Sequence, residues 1–91
     1  MEKRWSDKAW SDYLYWQEQD RKTLKRINKL IKSVERGSDK QESQELSIGE
    51  PERLKYSKAG LLSIRIDDSN RLVYKLEPDA FYIISCRGHY Q

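Results

Sequence analysis

Apolar residues recur at helical spacing along the first third of the chain and at spacing two along the last third. Leu24, Ile27, Leu30, Ile31 and Val34 fall on one stripe, the pattern of a helix that buries a single face. Asp20 precedes this run as an N-cap and Gly37 follows it as a natural stop. Upstream, Ala9, Trp10, Tyr13, Leu14 and Gln17 also follow helical spacing. Ser6 is placed to cap them, and Asp7 sits in the first turn, where the helix dipole favours an anion. The spacing predicts helices over 7–19 and 21–36. Almost nothing joins them, so an antiparallel pair is expected. Residues 2–5 read as a short opening strand.

Beyond residue 60 the alternation predicts strands over 61–66, 71–76 and 81–86. Turns fall at Asp67-Asp68-Ser69-Asn70 and Glu77-Pro78-Asp79, and 53–56 reads as a short strand before Gly60. Leu62, Ile64 and Ile66 share one face of their strand, and Leu61, Ser63 and Arg65 the other. In the next strand Leu72, Tyr74 and Leu76 oppose Arg71, Val73 and Lys75. One face can bury two helices while the other carries arginines. The expectation is an α+β fold of two layers, with an N-terminal helix pair on one face of an antiparallel sheet. Residues 37–51 are polar apart from Leu46 and Ile48, a long loop for so small a domain.

Ninety-one residues make one domain, here 1–91, with room for a single core. Hydrophobic and charged residues are each 36%, so three Trp, six Tyr and Phe81 must supply much of that core. The net charge of +3 is too small to announce a nucleic-acid ligand, but its distribution is uneven. On the second helix Arg21, Lys22, Lys25, Arg26, Lys29, Lys32 and Arg36 accompany one acid, Glu35. Such a stripe is either a solvated face or a surface that meets phosphates and releases their counterions. No apolar run is long enough to span a bilayer, and no signal-like segment follows Met1. The chain reads as cytoplasmic and without a membrane partner.

One cysteine, Cys86, excludes a disulfide framework and a multi-cysteine zinc site. One histidine, His89, with no acidic cluster beside it, leaves no expected metal. No phosphate-binding loop or dinucleotide fingerprint is present, so no cofactor is expected. His89 lies between Arg87 and Tyr90 at the end of a strand, and imidazole can give or take a proton near neutrality. Glu52 follows Pro51 and precedes Leu54, which favours a positioned rather than a freely moving carboxylate. Arg65 and Arg71 flank one turn on adjacent strands, and two guanidinium forks on a rigid sheet suit a phosphate. An ion pair with Asp67 or Asp68 is the ordinary alternative. A carboxylate, a histidine and several cations form a sufficient set for RNA cleavage in which the ribose 2′-OH attacks the adjacent phosphorus.

Trp5-Ser6, Trp10-Ser11-Asp12-Tyr13-Leu14-Tyr15-Trp16-Gln17, residues 25–32, Pro51-Glu52-Arg53-Leu54-Lys55, Arg65-Ile66, Arg71-Leu72-Val73-Tyr74 and Cys86-Arg87-Gly88-His89-Tyr90 stand in this order along the chain. Together they resemble the YoeB/Txe family within the RelE/ParE superfamily of toxins. The likeness covers nearly the whole chain outside the long loop. It implies a RelE-like two-layer microbial ribonuclease fold and a toxin of a type II toxin–antitoxin module that cuts mRNA in the ribosomal A site. It implies Glu52 as general base, His89 as general acid, and Arg65 and Arg71 on the phosphate. Tyr90 and Lys55 would contact substrate, with Arg87 beside them, while Lys25, Lys29 and Lys32 would face ribosomal RNA. The implied partners are a YefM/Phd-like antitoxin, the ribosome and mRNA, with a homodimer left open. The chain departs from the family at Leu62, Ile64 and Gly88, where an aromatic, an arginine and an aromatic are usual. Two other readings stay in view: a non-catalytic module that binds RNA, ribosome or gyrase, which would need neither Glu52 nor His89, and an inactivated toxin that still binds its antitoxin, to which Ile64 and Gly88 point.

Overall fold

The computed structural model describes residues 2–36, 52–53 and 60–88. In chain order they form β1 (Glu2–Trp5), α1 (Asp7–Gln19), α2 (Arg21–Arg36), β2 (Glu52–Arg53), β3 (Leu62–Arg65), β4 (Arg71–Glu77) and β5 (Ala80–Ser85). The long polar loop and residues 54–59, which include most of the strand expected at 53–56, lie outside the described residues.

The two helices begin and end where their caps direct. The Ser6 hydroxyl accepts the N–H of Ala9 at 2.9 Å and donates to the carbonyl of Ile84 at 2.7 Å. One side chain thus starts α1 and ties it to β5. Asp20 ends α1 by donating its N–H to Trp16 and starts α2 by accepting from the N–H and hydroxyl of Thr23. These bonds hold its carboxyl below the usual range. A one-residue joint forces a hairpin, and Tyr13 closes it by donating to Asn28 at 2.8 Å.

The sheet order is β1-β5-β4-β3-β2. The expected meander is present from β2 to β5, with antiparallel pairing throughout. The sheet as a whole is mixed, because β1 pairs parallel to β5. The reason lies in the connection: β1 runs directly into α1, and the Ser6 N–H bonds the Ile83 carbonyl as the chain leaves the sheet.

The core lies between the helices and one sheet face. Ile27, Leu30, Ile31 and Val34 of α2 meet Ile64, Ile66, Leu72, Tyr74, Phe81 and Ile83. Two expectations need correction. First, α1 buries Ala9, Asp12 and Trp16, while Trp10 and Leu14 are 48% and 42% exposed. Trp10 instead packs with Trp5 and Tyr13 in an aromatic group at the edge of the core. Second, Leu76 shares the parity of Leu72 and Tyr74 but stands exposed. The face opposite the helices carries the arginines, as expected, among buried neighbours. Leu61, Ser63, Val73 and Ser85 are buried there, and Arg65 is the exposed member.

A bulge re-phases β5. Val73 pairs with Ser85 but Tyr74 pairs with Ile83, leaving Ile84 as the extra residue. Strict alternation would put Ile83 and Cys86 on opposite faces. With the bulge both enter the core.

Candidate active site

Arg65 and Arg71 are directly opposed across β3 and β4. Like charges at opposed positions disfavour the sheet by themselves, so this arrangement suits a shared anion. Arg71 is half-buried, and its Nε donates to the Ser63 hydroxyl at 3.1 Å. Arg65 reaches into solvent, with Asp68 4.0 Å away and fully exposed. An ion pair of that length and exposure contributes little. Asp67 is engaged inside the turn, accepting from the Ser69 N–H at 2.8 Å and from the Asn70 amide. Of the two acids weighed as ion-pair partners, Asp68 is the one that approaches an arginine, and loosely.

The segment after β5 is held from two sides. From α1, the Asp12 carboxylate accepts the buried Cys86 N–H at 3.0 Å, and the Trp16 indole donates to the Cys86 carbonyl at 2.9 Å. From the β3–β4 turn, the Asn70 side chain accepts the Gly88 N–H at 2.7 Å, and the Arg71 N–H donates to the Gly88 carbonyl at 3.1 Å. Arg87 is exposed, with its guanidinium 3.6 Å above the ring of Tyr15. That cation–π contact holds the guanidinium over the ring face. Lys8 links to the Asp12 carboxylate and to the Arg87 carbonyl.

The fold therefore gathers Arg65, Arg71 and the chain leading to His89. Register sets Glu52 opposite Ser63, the residue that receives Arg71. The side chain of Glu52, and all of Lys55, His89 and Tyr90, lie outside the described residues. Two of the departures from the family pattern have local work. Ile64 is 2% exposed and packs in the core, and Gly88 has φ +83°, a conformation glycine adopts without steric cost.

On α2, Lys25, Lys29 and Lys32 are all exposed. Arg26 departs from the expected basic stripe: it is half-buried and its Nε donates to the Ile66 carbonyl, tying the helix to the end of β3. Glu35 is bound by Lys3 of β1 at 2.7 Å. Asp12, Tyr15, Ser63 and Asn70 were not foreseeable as site residues from sequence pattern. Asp12, Tyr15 and Asn70 act through partners distant in the chain, and Ser63 through Arg71 across the β3–β4 hairpin.

A helix hairpin on a five-stranded sheet, with opposed arginines on the far face, defines a RelE-like two-layer α+β protein. Residues 5–90 match the family described as YoeB-like toxin of bacterial type II toxin-antitoxin system. Toxin YoeB of Escherichia coli (strain K12) is 43% identical over 86 residues, covering 94% of this chain and 95% of that protein. The solved YoeB/ParE toxin from Agrobacterium tumefaciens has a TM-score of 0.84 at 34% identity, covering 99% of this chain and 100% of that one. YoeB from Staphylococcus aureus has been solved as a dimer, with a TM-score of 0.82 at 38% identity, covering 99% of this chain and 98% of that one. A heterotetrameric YoeB-YefM toxin-antitoxin complex from Staphylococcus aureus gives a TM-score of 0.79 at 38% identity over the same shares. The chain belongs to the YoeB-like toxin family of bacterial type II toxin–antitoxin systems. Among the described residues, no helix is long and apolar enough to cross a membrane.

Proposed function

We propose that this toxin is a ribosome-dependent endoribonuclease that cuts mRNA in the A site, in the cytoplasm, and so stops translation. The observation that carries the reading is the docking of residues 86–88 beside Arg71, which itself opposes Arg65. The sole histidine of the chain is the residue that follows this docked segment in sequence, and in this reading it acts beside the two phosphate-matching cations. In the proposed reaction Glu52 takes the proton of the ribose 2′-OH. The 2′ oxygen forms a bond to phosphorus, and the bond from phosphorus to the 5′ oxygen breaks. His89 donates a proton to that leaving oxygen. The products are a 2′,3′-cyclic phosphate and a 5′-hydroxyl. Arg65 and Arg71 stabilise the charge that develops on the phosphoryl oxygens. Tyr90, Lys55 and Arg87 position the RNA. Base, acid and cations suffice for this chemistry, so the mechanism is metal-independent.

The exposed Lys25, Lys29 and Lys32 face ribosomal phosphates in this reading. A YefM-like antitoxin restrains the toxin, by analogy with the Staphylococcus aureus complex, and the dimer of that relative extends the analogy to self-association. Cleavage of mRNA on programmed ribosomes tests the assignment. Glu52→Gln and His89→Gln should each slow cleavage by roughly 100- to 10,000-fold, the range for losing a general base or acid. Wild-type rates in either variant would refute it. A substrate with 2′-deoxyribose at the cut position should be inert, and cutting of it would show that another nucleophile acts.

A further inference from the structure

The Asn70 amide is engaged at both ends. Its Nδ2 donates to the two Asp67 carboxylate oxygens at 2.9 and 3.1 Å, and its Oδ1 accepts the Gly88 N–H at 2.7 Å. The reverse amide orientation would set an N–H against the Gly88 N–H and an oxygen against a carboxylate, so the partners dictate the orientation. Asp67 is anchored in turn by the Ser69 N–H, and the Asn70 carbonyl closes the turn by accepting from Ile66 and Asp67. The next residue, Arg71, donates its N–H to the Gly88 carbonyl. Two consecutive residues thus hold both polar backbone groups of Gly88. The peptide group that follows Gly88 is planar, so a fixed Gly88 carbonyl sets the direction in which the chain leaves toward His89. The positive φ of Gly88 makes this direction a property of the docked segment rather than of extended strand geometry.

We propose that Asn70, oriented by Asp67, is a positioning residue for the general acid: it docks Gly88 against the start of β4, beside Arg71, and so fixes the backbone atoms that immediately precede His89. The inference rests on the reading of His89 as acid. It makes Asp67-Asp68-Ser69-Asn70 a part of the catalytic scaffold rather than a plain hairpin connection. A misplacement on the order of 1 Å can cost about 100-fold in rate, so small changes here should be visible.

The test is a swap of donor and acceptor. Asn70→Asp sets two carboxylates face to face and should lower single-turnover kcat by roughly 10- to 100-fold, with KM for programmed ribosomes changed less than about 2-fold. Asp67→Asn combined with Asn70→Asp restores the pattern: the carboxylate at 70 accepts from Gly88 and from the new amide at 67. Cleavage should return to within about 3-fold of wild type, and protection of the Gly88 amide from hydrogen exchange should return with it. On a substrate whose leaving 5′ oxygen is replaced by sulfur, the thiolate departs without a proton. There the Asn70→Asp defect should shrink together with that of His89→Gln. A purely structural role for Asn70 would leave its defect unchanged on that substrate, and this would overturn the inference. So would wild-type cleavage by Asn70→Asp alongside a dead His89→Gln, or a double variant that folds with no recovery. Wild-type cleavage by His89→Gln would instead remove the functional reading beneath it.

Discussion

Removing the Asp12 carboxylate probes the bond between α1 and the segment that follows β5, beside the candidate active site. Asp12 is 5% exposed and the Cys86 N–H that it accepts belongs to a residue with no exposure. In Asp12→Ala that N–H loses its partner in a place water does not reach. An orphaned buried donor costs about 1–3 kcal/mol, and a bond to a charged acceptor lies toward the upper end. The Lys8 pair adds little, because the Lys8 side chain is 60% exposed and an exposed ion pair contributes at most ~1 kcal/mol. The expected loss is therefore about 2–3 kcal/mol. For a domain of this size each kcal/mol lowers Tm by roughly 4–8 °C, so a drop of roughly 10–20 °C follows. Asp12→Asn separates the two contributions. It keeps an oxygen for Cys86 and removes only the charge, so it should cost about 1 kcal/mol or less. Thermal melts by circular dichroism and urea titrations of the three proteins measure both values. Equal losses in Asp12→Asn and Asp12→Ala would refute the hydrogen-bond argument. A loss below about 0.5 kcal/mol in Asp12→Ala would refute the claim that this bond holds the segment at all.

Burial pushes the Cys86 thiol from 9.0 to about 12 and the Tyr74 phenol from 10.0 to about 12. Both groups hold their protons more tightly when folded, so their contribution is whole below the unfolded values and is lost as pH rises through the folded ones. Urea midpoints should stay level from pH 7 to about 9 and fall between about 9 and 12, and a level profile to about pH 11.5 would contradict this. Changing Lys25, Lys29 and Lys32 together to Ala should weaken ribosome binding and reduce its salt slope by roughly one for each phosphate a lysine had neutralised. Filter-binding isotherms at several salt concentrations decide that, and an unchanged slope would return the stripe to a solvated face. Gly88→Ala has open space for its Cβ but must adopt φ +83°, so it should lose roughly 1–2 kcal/mol and some cleavage rate together. Wild-type stability in that variant would show that the positive φ is not required. Charge reversal at Arg65 and Arg71 should weaken both cleavage and capture of a YefM-like antitoxin, and full antitoxin binding in a pull-down would place its contacts elsewhere.

The local rules of helix and strand were legible in the chain alone. The stripe from Leu24 to Val34, the caps at Ser6 and Asp20, and the alternation through Ile64, Leu72 and Tyr74 all depend on neighbours a few residues away, and each is found as expected. That Arg65 and Arg71 flank one turn on adjacent strands was legible too, because a short hairpin is a local matter, while their direct opposition is the register the sheet adopts. What tertiary structure decided are relations between distant parts of the chain. The parallel pairing of β1 with β5, the burial of Asp12 rather than Trp10, and the bulge at Ile84 all arise where α1 meets the end of β5. Asp12 and Cys86 satisfy each other only because packing removes both from water, and no spacing rule joins residues so far apart. Asn70 shows the division within one side chain. Its bond to Asp67 belongs to a turn that sequence pattern reveals, while its bond to Gly88 exists only because the sheet brings that backbone N–H to the turn, where a buried or half-buried donor must find an acceptor.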